Sequence, residues 1–63
     1  MNAYTTMKKL IANLNQKHDS GRISNDAYAA TAATYQTRID VFFGMGRISD
    51  AEYNELMGDF KTF

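Results

Sequence analysis

Gly21-Arg22-Ile23-Ser24 returns as Gly46-Arg47-Ile48-Ser49, and each copy is followed at the same distance by a tyrosine, Tyr28 and then Tyr53. Each copy reads as a helix stop fused to a helix start. Glycine closes a helix in the left-handed region because it has no Cβ to clash there, and Ile23 is placed to fold back on the last turn as the apolar partner of such a cap. Serine three positions later opens the next helix, since its hydroxyl accepts from one of the backbone N–H groups that the first turn leaves unpaired. Gly21, Ser24, Gly46 and Ser49 are therefore expected to cap helices. Glu52, three residues beyond Ser49, completes a capping box by reaching back to the serine's own N–H.

Working outward from the corners, the chain has no proline and is rich in Ala, Leu, Met, Lys and Gln, all of which favour helix. Tyr4, Met7, Ile11 and Leu14 recur at three and four residues, with Leu10 beside them and His18 in line, which predicts a first helix over about residues 3–19. Between the corners Tyr28, Ala32, Tyr35, Ile39 and Phe42 repeat the spacing, with Phe43 widening the apolar face. This predicts a long central helix over about 25–44, begun with Asp26 in its dipole-favoured first turn and ended at Gly44 and Gly46. Ala27, Ala29, Ala30 and Ala33 on its other faces are small enough to admit a second helix at close range. After the second corner Tyr53, Leu56, Met57 and Phe60 predict a third helix over about 50–61, which Phe63 extends, with Asp50, Glu52 and Glu55 in its opening turns.

Gly46 follows Gly21 by 25 positions, and that offset also superimposes Leu14 on Ile39, Leu10 on Tyr35, Thr31 on Leu56, Ala32 on Met57 and Tyr35 on Phe60. Each unit is a helix, a glycine corner and the opening of the next helix. Two copies are too few for a solenoid. The expected fold is all-α: a single domain over residues 1–63, a three-helix bundle with a long central helix.

A chain of 63 residues buries only about 60% of its unfolded surface, and without cysteine it has neither disulfides nor a thiolate cluster to staple it. That combination points to self-association as a dimer and to a reducing, cytoplasmic setting. No apolar run approaches the roughly 20 residues of a membrane span. Seven basic and seven acidic residues cancel in number but not in order: residues 1–24 carry +3, residues 25–49 are balanced and residues 50–63 carry −3. Opposite ends of this kind attract, so the first and last helices should be neighbours, within one chain or across a dimer.

Catalytic and metal motifs do not hold up when read for chemistry. His18-Asp19-Ser20 contains the residue types of a hydrolase triad, but consecutive residues at a helix end diverge, whereas a triad needs a spatial chain of hydrogen bonds. One histidine and no cysteine do not make a typical transition-metal site, and the carboxylates lack a calcium-loop spacing. Gly44-Met45-Gly46 opens like a dinucleotide fingerprint, but it follows a helix where a strand is required. Arg22 and Arg47 at equivalent corners read as solvated or capping arginines before they read as anion ligands. No enzyme activity and no cofactor are expected.

The segment Gly46-Arg47-Ile48-Ser49-Asp50-Ala51-Glu52-Tyr53 resembles the Gly-x-Ile-Thr-x-x-Glu-Phe/Tyr corner of SHOCT-like short oligomerisation domains and of many very small proteins of bacteriophages and integrated elements. The first copy keeps Gly21, Ile23, Ser24 and Tyr28 but has Ala27 in place of the acidic residue. The resemblance implies oligomerisation or partner binding without catalysis, in a phage or mobile-element setting where such proteins include inhibitors of host defence enzymes. The residue pattern itself points to an interface: Val41-Phe42-Phe43 next to Met45 is more apolar surface than one stripe hides. Phe42, Phe43 and Met45, with Tyr53, Met57 and Phe60, are the interface candidates. Two other readings compete: a nucleic-acid-binding bundle tracking phosphates with Lys8, Lys9, Lys17, Arg22 and Arg47, which neutral charge disfavours, and a bare oligomerisation domain.

Overall fold

The computed structural model describes residues 2–63. Three helices, α1 (Ala3–Asp19), α2 (Asn25–Gly44) and α3 (Asp50–Gly58), each pack against both others, and no strand occurs among the described residues. The fold is an all-α three-helix bundle whose central helix is the longest, and the 35 Å long axis of the molecule follows from the roughly 30 Å of a 20-residue helix.

Polar contacts fix the directions of the helices. Lys8 of α1 reaches Glu55 and Asp59, Asn15 reaches the Asp59 carbonyl, and Asp19 reaches Lys61. α1 and residues 55–61 therefore run parallel, with α2 returning between them. The attraction between the basic first segment and the acidic last one is satisfied inside a single chain, at 2.7 Å for Lys8–Glu55, 2.6 Å for Lys8–Asp59 and 2.7 Å for Lys61–Asp19.

The core has two parts. Met7 and Ile11 of α1, Ile39 of α2, Ile48 of the second corner and Leu56 of α3 form one cluster; Leu14 of α1 with Tyr28 and Ala32 of α2 forms the other. Phe60 and Tyr35 pack against both and join them. Of the six aromatics on the predicted core stripes only Tyr28 is fully buried; Tyr4, Tyr35, Phe42, Tyr53 and Phe60 are half-buried at the edge of the core. So short a chain has too little interior for six rings, and the tyrosine hydroxyls of residues 4 and 53 reach out to carboxylates.

The third helix is shorter than the apolar spacing predicts, ending at Gly58 and not near residue 61. Glycine is a weak helix former, and tertiary partners compete for the groups that a further turn would use. The Asp59 carbonyl accepts from Asn15 Nδ2 at 3.0 Å, and the Lys61 N–H donates to the Tyr28 hydroxyl at 2.8 Å. Residues 59–63 thus run as an irregular strap along the α1–α2 corner, with Phe63 laid on His18 and Tyr28 at ring-centre distances of 4.7 and 5.2 Å. No helix among the described residues is long and apolar enough to cross a membrane.

Candidate functional site

The two corners share the same helix-closing hydrogen bonds. At the first, the Arg22 N–H donates to Lys17 O and the Gly21 N–H to His18 O; at the second, the Arg47 N–H donates to Phe42 O and the Gly46 N–H to Phe43 O. This is the paired closure of a Schellman cap, and Gly21 and Gly46 hold its left-handed position at φ +75° and +74°. Ser24 Oγ accepts from the Ala27 N–H and Ser49 Oγ from the Glu52 N–H, both at 3.1 Å. Glu52 returns a carboxylate to the Ser49 N–H at 2.9 Å, a bond that Ala27 has no group to make at the first corner. Asn2 caps α1 by accepting from the Thr5 N–H at 2.8 Å, a start signal not among the corner residues.

The repeat extends into tertiary structure. Tyr28 donates its hydroxyl to Asn15 Oδ1 at 2.5 Å, and Tyr53 donates to Asp40 Oδ1 at 2.8 Å, each to a residue thirteen positions back on the preceding helix. His18 packs edge-on against Tyr28 at 5.2 Å, and Phe43, its equivalent 25 positions on, packs against Tyr53 at 4.7 Å. The two units differ in what covers them. Phe63 and the Lys61 N–H lie on Tyr28, whereas no such segment among the described residues lies on Tyr53, and Phe43 is 40% exposed.

The interface candidates do not share one surface. Phe42, Tyr53, Met57 and Phe60 pack against the first core cluster. Phe43 turns toward Tyr53, and Val41 lies about 160° around the helix from it, since two residues advance an α-helix by about 200°. Met45, one turn beyond Val41, belongs to the Val41 side. A contiguous sequence run is therefore split between opposite flanks of α2.

The Val41 side continues along the whole outer face of the helix. Ala27, Ala30, Thr34, Thr37, Val41 and Met45 follow at intervals of three and four and are all exposed. The Thr34 and Thr37 hydroxyls are turned back to the Ala30 and Ala33 carbonyls at 3.4 and 3.1 Å. Both polar groups are thereby satisfied within the helix, and the face can lose water without leaving a hydroxyl unpaired.

Around α1 and α3 the electrostatics are structural. Asp59 and then Glu55 hold the Lys8 ammonium above its ordinary pKa, and Lys8 followed by the Tyr4 hydroxyl holds the Glu55 carboxyl below its own. Hydrogen bonding to Glu55 raises the Tyr4 phenol, and hydrogen bonding to Asp40 raises that of Tyr53. His18, Asp19 and Ser20 point three ways: His18 Nε2 pairs with Asn25 Oδ1 at 2.7 Å, Asp19 with Lys61, and Ser20 Oγ donates to Lys17 O at 3.2 Å. No group of three His, Asp or Glu residues placed to hold a metal ion occurs among the described residues. No protein-family model, curated protein or solved structure matches the chain.

Proposed function

We propose that this chain is a non-catalytic protein-binding module that pairs with a second copy of itself and acts stoichiometrically on a protein target, in the manner of the small phage and mobile-element proteins that inhibit host defence enzymes. The observation that carries this reading is the outer face of α2, where Val41 and Met45 are 54% and 60% exposed and continue a small-residue stripe whose threonine hydroxyls are bonded within the helix, with exposed Arg38 at its edge. A monomer gains nothing from arranging apolar and self-satisfied residues at helical spacing away from its core. The stripe grades from alanine at the α2 N-terminus to valine and methionine at its C-terminus, so an antiparallel crossing sets the large residues of one copy over the small ones of the other. Lys8, one of the five cations that a phosphate track would use, is held between Glu55 and Asp59, which favours the protein partner over nucleic acid.

Sedimentation velocity over a concentration series tests the pairing. A monomer–dimer equilibrium is expected, with the double variant Val41→Ser, Met45→Ser monomeric and still fully helical. A wild-type chain that stays monomeric at high concentration refutes self-association through this face.

A further inference from the structure

The first corner is covered by the chain's own C-terminal segment. At Tyr28 the occupant is the chain's own strap: the Asp59 carbonyl accepts from Asn15 Nδ2, the Lys61 N–H donates to the tyrosine hydroxyl, and the Phe63 ring rests on Tyr28 and His18. At Tyr53 the same platform recurs with Phe43 for His18 and Asp40 for Asn15. We propose that the Phe43–Tyr53–Asp40 platform is a docking site for an extended segment of a partner protein that places a backbone N–H on the Tyr53 hydroxyl, an aromatic ring two residues later on Phe43 and Tyr53, and a basic side chain on Asp40.

The chemistry of the occupant follows from the two substitutions between the units. The Tyr53 oxygen donates to Asp40 and keeps a lone pair for an incoming N–H, as Tyr28 does for Lys61. Asn15 offers an amide N–H to a carbonyl, whereas Asp40 offers only acceptors. At the first corner the Asp59 side chain itself lies on Lys8, which Ala33 replaces at the second, so the residue two places before the N–H donor is free to turn its carbonyl away from Asp40 and lay a basic side chain there. Asp19, which holds Lys61 at the first corner, is matched by Gly44 at the second, so Asp40 is the anion left to recognise the partner's charge. A second copy's strap would bring the Asp59 carbonyl, and no cation, to the Asp40 carboxylate. Phe43 and Tyr53 lie on the opposite flank of α2 from Val41 and Met45, with Asp40 between the two surfaces. This inference rests on the protein-binding reading above but not on self-association.

The probe is an acetylated and amidated hexapeptide, Gly-Lys-Phe-Lys-Thr-Phe, which is the sequence of residues 58–63 with lysine in place of Asp59. It is titrated into the full ¹⁵N-labelled chain and followed by amide shifts. Saturable shifts are expected at Asp40, Phe43 and Tyr53, with His18 and Tyr28 unmoved. Replacing the last phenylalanine by alanine should weaken binding about tenfold, as loss of a central aromatic anchor does. Asp40→Asn keeps an acceptor for the Tyr53 hydroxyl and so keeps the fold; it should weaken binding about threefold and flatten its salt dependence. Shifts confined to His18 and Tyr28, no saturation at millimolar peptide, or equal affinity for the unaltered sequence Gly-Asp-Phe-Lys-Thr-Phe would each overturn the proposal, the last by assigning the site to a second copy. A peptide failure alongside the dimer loss of the Val41→Ser, Met45→Ser variant removes this occupant and leaves the proposed function standing.

Discussion

Tyr28 donates its hydroxyl proton to Asn15 across the first corner at 2.5 Å while accepting the Lys61 N–H at 2.8 Å, so one oxygen ties α1, α2 and the strap together. It is the most deeply buried tyrosine of the chain, 1% exposed. Its counterpart Tyr53 makes the equivalent bond to Asp40 at the molecular surface. Removing the Tyr28 hydroxyl leaves a backbone N–H and an amide oxygen without partners in a place water does not easily reach. Tyr28→Phe is therefore expected to cost about 1–3 kcal/mol, and Tyr53→Phe less than about 1 kcal/mol because solvent replaces its bond. For a domain of about this size, each kcal/mol lowers the melting temperature by about 4–8 °C, so thermal melts followed by circular dichroism separate the two variants clearly.

At the corners, the expected cost is one of backbone conformation alone. A Cβ built on Gly21 or Gly46 meets no atom within 4 Å, so no neighbour opposes it, but both residues sit at positive φ. Gly21→Ala and Gly46→Ala should each cost about 1–2 kcal/mol in urea unfolding. Nearly unchanged midpoints would mean that the left-handed caps are not needed to turn the chain.

The serine hydroxyls make the same bond at both corners, but only the second cap has a reciprocal glutamate. Ser24→Ala and Ser49→Ala should each cost about 1 kcal/mol. Ala27→Glu, which supplies the missing box partner at the first corner and adds an anion to the first turn, should stabilise the chain by about 0.3–1 kcal/mol. A destabilised Ala27→Glu, measured in dilute solution by the same urea titration, would contradict this account of the asymmetry.

Much of this architecture could be read in the residues. The glycine–serine corners and the three- and four-residue apolar spacing placed α1 and α2 at their observed ends, because capping and amphipathicity are local. The end of α3 was not legible: Phe60 and Phe63 continue a helical spacing, and only the distant Asn15 and Tyr28 draw residues 59–61 out of it. The equivalence of Asn15 with Asp40 and of His18 with Phe43 was present in the 25-residue offset, but their side chains differ too much in type to stand out. The apolar run at Val41–Met45 divides between two flanks of α2, since neighbours in sequence face different ways on a helix and a run of this kind is not one patch.

The Lys8–Glu55–Tyr4 group sets a pH dependence with a definite sign. Lys8, and after it Tyr4, depress the Glu55 pKa in the folded chain, so its contribution is present above the ordinary glutamate value of 4.5 and is lost as pH falls through the lower folded value. Wild type should therefore be more stable than Glu55→Gln near neutral pH, and the gap between their melting temperatures should close on acidification below about 4.5. The raised phenol of Tyr4 works in the other direction, keeping its contribution below its ordinary value of 10.0 and losing it as the ring ionises in the folded chain. Alkaline titration should accordingly narrow the same gap from above. A gap that is constant from acid to alkali would show that Glu55 is not coupled to its two partners.

Leu56 tests how closely the bundle depends on its shortest helix. Its side chain is 0% exposed and closes the cluster of Met7, Ile11, Ile39 and Ile48 from the α3 side, while its neighbour Met57 is half-buried at the rim. A chain of this length is expected to hold only about 3–9 kcal/mol of total stability. Truncating a buried leucine costs about 2–5 kcal/mol, a large part of that total. Leu56→Ala should consequently melt at least about 8 °C below wild type by far-UV circular dichroism, whereas Met57→Ala should melt cooperatively with a loss of about 1 kcal/mol. Equal damage from both would place α3 in a different rotation about its axis. With it would move Tyr53 and the Asp40 contact that distinguish the second corner from the first.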